Sequence, residues 1–151
     1  MINPNDHIRF SNVVSRKYQF HYHNMDEVMT DFLNDIIKMK ASIKGPLFYS
    51  INNIPLDEIV YAEFFMPLEE DDRLEIMEDM SFHSYFSIEE MISCSLFQNF
   101  ERDTEFAYKK LLDYMGQNGQ TQVTPIFHVI SGDETLQYMI IKMGISKEKI
   151  D

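Results

Sequence analysis

The segment Gly45–Ile51, GPLFYSI, is followed at Val60–Pro67 by VYAEFFMP, and this pair of segments is the strongest structural signal in the chain. A similar pair stands later in the chain, where TPIFHVI at Thr124–Ile130 precedes QYMIIKMG at Gln137–Gly144. Each pair is typical of two strands joined by a turn. A pattern of this size that occurs twice predicts one supersecondary motif used twice, with each copy covering the apolar face of the other.

A helix is expected before each strand pair. Apolar residues recur at helical spacing over residues 25–42, and Asn24 with Glu27 forms the pattern of a capping box at the start of this segment. Gly45, followed by proline, predicts the end of this helix. A second helix is expected over residues 105–115, where an Asn-Gly pair soon follows the last apolar residue.

A strand is expected before each helix. Alternating apolar and polar residues over Ile8–Tyr22 and over Ile88–Phe97 carry this signal. The order of elements is then strand, helix, strand, strand, twice. We therefore expect an α+β fold in which two pseudo-symmetric strand-helix-strand-strand repeats form an antiparallel sheet with the helices on one face.

The whole chain, residues 1–151, is expected to be a single domain. Repeat one covers about 8–68, an acidic connector about 69–80 and repeat two about 81–146. The connector is rich in acidic residues and lacks the central glycine and closing glutamate of a calcium loop. A block of like charges usually forms a solvated surface, and a strip that binds a basic partner is the alternative.

Composition limits the partners and the location. The chain carries 25 acidic and 13 basic residues, for a formal net charge of −12. Because such a surface repels phosphate backbones and anionic lipid, we expect no nucleic acid and no membrane as a partner. The single cysteine, Cys94, excludes an internal disulfide, and the sequence shows neither a signal peptide nor a membrane-spanning run. These features predict a cytoplasmic protein.

Two motifs resemble those of a known family. AYKKLLDY at Ala107–Tyr114, followed by Asn118-Gly119, is similar to a helix of the GyrI-like effector-binding domains, and EFFMP at Glu63–Pro67 is similar to the end of a strand in that family. These domains are the ligand-sensing parts of AraC-type and MerR-type bacterial regulators and also occur as free-standing proteins. The resemblance covers about residues 12–145. It implies two strand-helix-strand-strand repeats around a pseudo-twofold axis, with a ligand cleft between them.

The second half departs from the family pattern. Family members that bind cationic drugs usually carry a buried glutamate there, but Tyr138–Gly144 contains neither that glutamate nor the proline that accompanies it. Glu63 remains in the first half. A lone carboxylate in an apolar cleft suits a cation, so the loss of its second-half equivalent implies weak cation binding.

Glu63 is the centre of the expected ligand site. It alternates with Tyr61 and Phe65, so the three side chains share one face of a strand. Aromatic faces around a carboxylate suit flat or cationic ligands, although ordinary core packing explains most aromatic residues. The expected ligand-binding residues are Glu63, Tyr61, Phe65, Tyr49, Phe48, Tyr108, Phe127 and Tyr138.

The sequence predicts no catalytic residues, no metal site and no cofactor. His21 and His23 offer two imidazoles, but no nearby acid or cysteine completes a metal site. Cys94 has no histidine or aspartate close in sequence to activate it.

The function expected from these features is a free-standing, non-catalytic module that binds a small hydrophobic ligand or a partner protein. One alternative is an acidic interaction protein, such as an immunity-like inhibitor, that masks a basic partner surface. Another is a small hydrolase that uses Glu63 together with a tyrosine, which requires a tyrosine hydroxyl within hydrogen-bond reach of the carboxylate.

Overall fold

Strands and helices alternate in the order expected from the sequence. The computed structural model describes residues 1–53, 58–97, 100–132 and 135–147, with the backbone alone for residues 100–102. The described chain contains six strands and two α-helices, which confirms the repeated strand-helix-strand-strand order and the α+β class. These elements are β1 Ile2–His21, α1 Met25–Lys38, β2 Phe48–Ile51, β3 Ile59–Pro67, β4 Met80–Leu96, α2 Phe100–Gln117, β5 Thr121–Gly132 and β6 Gln137–Ser146.

The chain divides into two compact units. The first unit comprises residues 9–86, and the second comprises residues 1–8 and 87–151. Strands β1 and β4 each contribute residues to both units, because the division falls within each of these strands.

In the first unit, β3 is the central strand. It pairs antiparallel with β1 on one side and with β2 on the other. Helix α1 covers one face of this sheet, where the fully buried Phe32 lies 5.9 Å from Phe64 and 6.3 Å from Tyr18 between ring centroids. Because side chains alternate along a strand, the neighbours of Phe64 and Tyr18 point to the other face. We call that other face the helix-free face of the unit.

Helix α1 begins where the sequence predicts but ends earlier. Asn24 occupies the N-cap, yet its side chain makes no capping hydrogen bond, so the expected capping box is absent. The helix ends at Lys38, because Lys40 adopts a left-handed conformation with φ of 59°. The amides of Lys40 and Ala41 then donate to the carbonyls of Ile37 and Ile36. This is a Schellman motif with lysine in the position that glycine usually takes.

In the second unit, β6 is the central strand, between β4 and β5. Helix α2 covers one face, where Ala107, Leu111 and Met115 pack into a core with alternate residues of β4 and β6. The helix spans residues 100–117 and is longer than the predicted 105–115. The register of β5 shifts between Gln122 and Ile126, around Pro125, whose nitrogen has no hydrogen to donate to the ladder.

The two units repeat the same topology. In each, the last strand of the repeat lies between the first strand and the second. The burial pattern of Ala62–Met66 matches that of Ile141–Ile145. This match places Glu63 of β3 and Lys142 of β6 at equivalent positions, each on the helix-free face of its own unit.

The acidic segment Glu69–Asp79 contains neither a helix nor a strand. Two of its carboxylates contact other parts of the first unit. Both carboxylate oxygens of Glu70 accept from the backbone N–H of Ser42, at 2.8 and 3.0 Å. Asp79 lies 3.3 Å from Arg16, which also pairs with Asp35 at 2.7 Å. The segment expected to be a solvated connector is therefore partly fixed to the first unit.

Membrane insertion through a helix finds no support in the described residues. Neither α1 nor α2 combines the length and the apolar character that a bilayer-spanning helix needs.

Candidate functional site

A chain of hydrogen bonds fixes Glu63 on the helix-free face of the first unit. The hydroxyl of Ser15 donates to Oε2 of Glu63 at 2.7 Å, and Nε2 of His83 lies 2.9 Å from the same hydroxyl oxygen. Ser15 is only 1% exposed. Because an ionised carboxylate can only accept, the hydroxyl hydrogen belongs to the bond with Glu63. The bond between His83 and Ser15 must then be donated by the imidazole N–H.

The aromatic surface that adjoins this carboxylate is largely buried, since Phe48 is 0% and Phe65 3% exposed. The rings of Phe48 and Phe65 stack with centroids 4.7 Å apart and an angle of 1° between their planes. Phe86 lies 4.9 Å from Phe65, and Phe10 lies 5.5 Å from Phe48. His83 contacts the same surface, 5.8 Å from Phe86 with its ring nearly perpendicular.

Tyr61 adds an exposed ring to the same side of β3. Its side chain alternates with Glu63 and Phe65, and the residue is 46% exposed. We call the set formed by Ser15, Phe48, Tyr61, Glu63, Phe65, His83 and Phe86 the Glu63 face. A carboxylate held at the edge of an aromatic surface attracts positive charge and flat apolar groups together.

The other predicted residue of this unit, Tyr49, lies on the opposite side of the sheet. It faces α1, 5.3 Å from Phe64 between ring centroids, and it is 6% exposed. Burial raises the pKa of Tyr49, and the nearby Asp26 raises it further. Tyr49 therefore belongs to the core under the helix, away from Glu63.

The three predicted residues of the second unit are also divided between two faces. Tyr108 of α2 hydrogen-bonds to the buried His128 of β5, on the helix-covered side. Phe127 is the cross-strand partner of Lys142 on the helix-free face. Tyr138 lies on that same face at the start of β6, 5.6 Å from Phe97 between ring centroids. The structure thus groups Glu63, Tyr61, Phe65 and Phe48 in one unit, and Phe127 with Tyr138 in the other.

A salt bridge occupies the centre of the helix-free face of the second unit. Nζ of Lys142 lies 3.2 Å from Oδ1 of Asp6 and donates to the carbonyl of His7 at 2.7 Å. The two charged side chains are 12% and 16% exposed. Burial works to raise the pKa of Asp6, but hydrogen bonds from Ser93 and the His7 amide, together with Lys142, outweigh it and lower the pKa below its usual value. The two equivalent positions therefore carry opposite charges.

Sequence reasoning missed the groups that hold Glu63. His83 was not predicted to join the site because β4 was expected from residue 88, whereas it begins at Met80 and carries His83 into the sheet. Ser15 lies in the predicted first strand, and its alternation with Arg16 would have placed it on the face opposite that arginine. Its pairing with Glu63 depends on the β1–β3 register, which the sequence alone did not provide.

The two histidines considered as metal ligands, His21 and His23, lie side by side near the end of β1. The rings of His21 and His23 stack 4.8 Å apart, and Nε2 of His21 lies 3.0 Å from Glu58. Within the described residues, no group of three or more histidine, cysteine or acidic side chains is arranged to hold a metal ion.

Solved structures of other proteins share this fold, and two of them are of EcmrR. EcmrR, in a cryo-EM structure of its DNA complex, matches with a TM-score of 0.79 at 12% identity, over 98% of this chain and 58% of the EcmrR chain. The crystal structure of the EcmrR C-terminal domain matches with a TM-score of 0.68 at 9% identity, over 95% of this chain and 98% of that one.

Two proteins from Listeria innocua are also similar. An uncharacterized conserved protein matches with a TM-score of 0.64 at 9% identity, over 94% of this chain and 92% of its own. A protein described as a hydrolase matches with a TM-score of 0.55 at 10% identity, over 95% and 92%. At these identities the likeness establishes the fold alone.

Among sequence comparisons, no curated protein matches the chain. One family does, and it covers residues 9–147. Its description is a domain of unknown function, DUF5085. The chain therefore belongs to the DUF5085 family and has the fold of the GyrI-like effector-binding domains.

Proposed function

We propose that this chain is a non-catalytic binding module of the GyrI-like effector-binding type, and that its Glu63 face receives a small hydrophobic ligand. The observation that carries the proposal is the hydrogen-bond chain from His83 through Ser15 to Glu63, at the edge of the Phe48–Phe65 stack. Placing a carboxylate beside apolar rings costs desolvation free energy, which the bond from Ser15 offsets in part and a bound positive charge would offset further.

The chemistry of the Glu63 face favours a flat, apolar ligand that carries a positive charge. The carboxylate supplies the charge contact, and the exposed ring of Tyr61 supplies a surface on which such a ligand can stack. A basic, apolar segment of a partner protein offers the same chemistry. Because Lys142 takes the place of the second carboxylate, we expect weak binding of cations.

The two alternatives receive less support. An acidic protein that masks a basic partner needs a free acidic strip, yet Glu70, Asp71 and Asp79 of the acidic segment contact Ser42, Arg73 and Arg16. A hydrolase that uses Glu63 needs a tyrosine hydroxyl close to the carboxylate. Among the described residues, the side-chain hydrogen bond of Glu63 is the one from Ser15.

Binding of two ions of matched shape tests the proposal. Tetraphenylphosphonium and tetraphenylborate have the same size and aromatic surface and carry opposite charges. The chain has no tryptophan, so calorimetry is the appropriate measurement. We expect the wild-type protein to prefer the cation, and Glu63→Gln to lower the affinity for the cation about tenfold, as expected for the loss of a charge contact in a partly buried site.

Glu27→Gln is the matched control, because Glu27 is exposed on α1, which covers the other side of the sheet. This variant should bind both ions as the wild type does. If neither ion binds, or if Glu63→Gln binds the cation as tightly as the wild type, Glu63 does not recognise a ligand and the proposal fails.

A further inference from the structure

His83 is the one titratable side chain in the hydrogen-bond chain that holds Glu63, apart from the carboxylate itself. It belongs to β4 and reaches Ser15 of β1, which in turn reaches Glu63 of β3. The ring is half-buried between Phe65 and Phe86, at 6.2 and 5.8 Å between centroids. Three strands therefore converge on this contact.

The direction of the hydrogen bonds is the same in the two charge states of His83. With the Ser15 hydroxyl donating to Glu63, Nε2 of His83 carries a hydrogen in both states. In the neutral imidazole Nδ1 is bare, and in the imidazolium it binds a second proton. Protonation therefore breaks none of these hydrogen bonds, but it places a positive charge two hydrogen bonds away from the carboxylate.

We propose that His83 sets the charge that a ligand meets at Glu63, so that the Glu63 face binds a cation at neutral pH and releases it as the solution becomes mildly acidic. This inference rests on the proposed function. A positive His83 neutralises part of the attraction that Glu63 exerts and repels a cation bound beside it. By linkage, a bound cation makes protonation of His83 harder to the same extent.

The contacts of His83 with Ser15, Phe65 and Phe86 involve no charged partner, so the hydrogen-bond chain leads from its ring to the carboxylate of Glu63. From β1 the contact is the neutral hydroxyl of Ser15, and from β3 and β4 the neighbouring rings are Phe65 and Phe86. Lys17 of β1 is the cross-strand neighbour of Glu63 in the ladder, and its side chain is exposed. A lysine ammonium keeps its charge throughout the mildly acidic range, so Lys17 does not create a pH dependence there.

Histidine is the side chain that most readily changes its charge between about pH 5 and pH 8. The experiment therefore measures tetraphenylphosphonium binding by calorimetry across about pH 5.5 to 8, above the usual range of carboxylate titration. For the wild type we expect the affinity to fall about fivefold to tenfold from the upper to the lower limit, as is typical for coupled sites.

His83→Gln is the informative variant. The amide nitrogen of glutamine can donate to Ser15 as the imidazole does, but it does not titrate. We expect its affinity for the cation to be independent of pH. His21→Gln is the control, because His21 contacts Glu58 at the far end of β1, and this variant should keep the pH dependence of the wild type.

The outcomes separate the two proposals. If tetraphenylphosphonium binds at neither pH, the proposed function fails. If it binds equally well at both, or if His83→Gln keeps the pH dependence of the wild type, the role of His83 is wrong while the binding function stands. An NMR titration of the His83 ring gives an independent readout, since bound tetraphenylphosphonium should shift its titration to lower pH. An unchanged titration would overturn the coupling.

Discussion

At the scale of single residues, the hydroxyl of Ser15 should contribute to stability as well as to ligand binding. Ser15→Ala removes the donor to Glu63 and the acceptor for His83, two bonds of 2.7 and 2.9 Å at a residue that is 1% exposed. Because partly buried polar groups lose their partners, we expect the free energy of unfolding in urea to fall by about 1–3 kcal/mol.

Ser87→Ala is the control for Ser15→Ala. Ser87 is an exposed residue of β4 whose hydroxyl donates to Glu89 at 2.9 Å. Loss of an exposed bond should change the free energy of unfolding by no more than about 0.5 kcal/mol. Equal losses of unfolding free energy in the two variants would show that the buried Ser15 contacts stabilise the fold no more than an exposed hydrogen bond does.

The salt bridge of Asp6 predicts how stability depends on acid. The pKa of Asp6 is lowered in the folded protein, against the effect of burial, by hydrogen bonds from Ser93 and the His7 amide and by Lys142. A depressed folded pKa means that the unfolded chain takes up the proton first as the pH falls. The stabilisation is therefore complete above the carboxyl's unfolded pKa, about 3.9, and is lost as the pH falls from there through the folded pKa.

Asp6→Asn tests this effect. We expect the variant to be less stable than the wild type at neutral pH and to lose less stability when urea unfolding is repeated at about pH 3, below the unfolded pKa of an aspartate. Asp113→Asn, at an exposed position of α2, should follow the wild type. A parallel loss in wild type and Asp6→Asn would show that Asp6 does not contribute to acid sensitivity.

These residues also show what the sequence could not reveal. Alternation along one strand was enough to place Tyr61, Glu63 and Phe65 on a single face. The hydrogen-bond partner of Glu63, Ser15, comes from β1 and is itself bonded to His83 of β4, and the partner of Lys142 comes from the start of β1. Contacts of this kind depend on strand register, which is set by the whole sheet and leaves no local signal in the chain.

At the scale of elements, the glycines of β6 and α2 should respond to alanine in opposite directions. A Cβ on Gly144 would lie 2.4 Å from Cγ2 of Thr124 and 2.8 Å from its Oγ1, the atom that accepts from the Gly144 amide. Gly144→Ala should therefore lower the free energy of unfolding by about 1–3 kcal/mol. A Cβ on Gly116 of α2 would meet nothing within 4 Å, so Gly116→Ala should raise it by about 0.5–1 kcal/mol.

A second substitution checks the cause of the Gly144 effect. Thr124→Ser removes the methyl group nearest to the new Cβ and keeps the hydroxyl that pairs with the amide of residue 144. In the Gly144→Ala background it should restore part of the lost stability, measured by thermal unfolding. No recovery would mean that the loss arises elsewhere than at the β5–β6 contact.

The bounds of the elements were predictable where they rest on local signals. Strand β2 at Phe48–Ile51 lies within the segment Gly45–Ile51, and β3 at Ile59–Pro67 begins one residue before the segment Val60–Pro67. The end of α1 was missed because Lys40 adopts a left-handed conformation that usually requires glycine, so the helix does not continue toward Gly45. Strand β4 begins eight residues early, at Met80 instead of residue 88, in a stretch whose alternation is weak.

At the scale of the whole molecule, the sequence predicted the repeated topology. It predicted the charge pattern of the two repeats only in part. The order strand, helix, strand, strand recurs because each repeat carries its own helix and strand signals. The opposite charges at Glu63 and Lys142 show that the repeats have diverged at the position where the family resemblance leads one to expect a second carboxylate. Topology is thus common to both units, while the charge at this position differs between them.

The net charge leads to the last prediction, which concerns DNA. EcmrR matches this fold in a structure of its DNA complex, but this chain spans only 58% of the EcmrR chain, so the likeness carries no DNA-binding activity to it. With 25 acidic and 13 basic residues, the chain repels a phosphate backbone instead of releasing its counterions. We therefore expect no binding to duplex DNA at physiological ionic strength.

Fluorescence anisotropy of a labelled duplex of about 20 base pairs, enough for one typical recognition site, provides the measurement. The anisotropy should stay constant as protein is added up to about 0.1 mM, the weak limit of the dissociation constants that are typical of non-specific DNA binding. Lowering the salt concentration strengthens phosphate contacts wherever they exist, so the titration is repeated at low salt, with a basic protein as the positive control. A rise in anisotropy that grows as salt is removed would reveal a cationic surface that the net charge of −12 conceals.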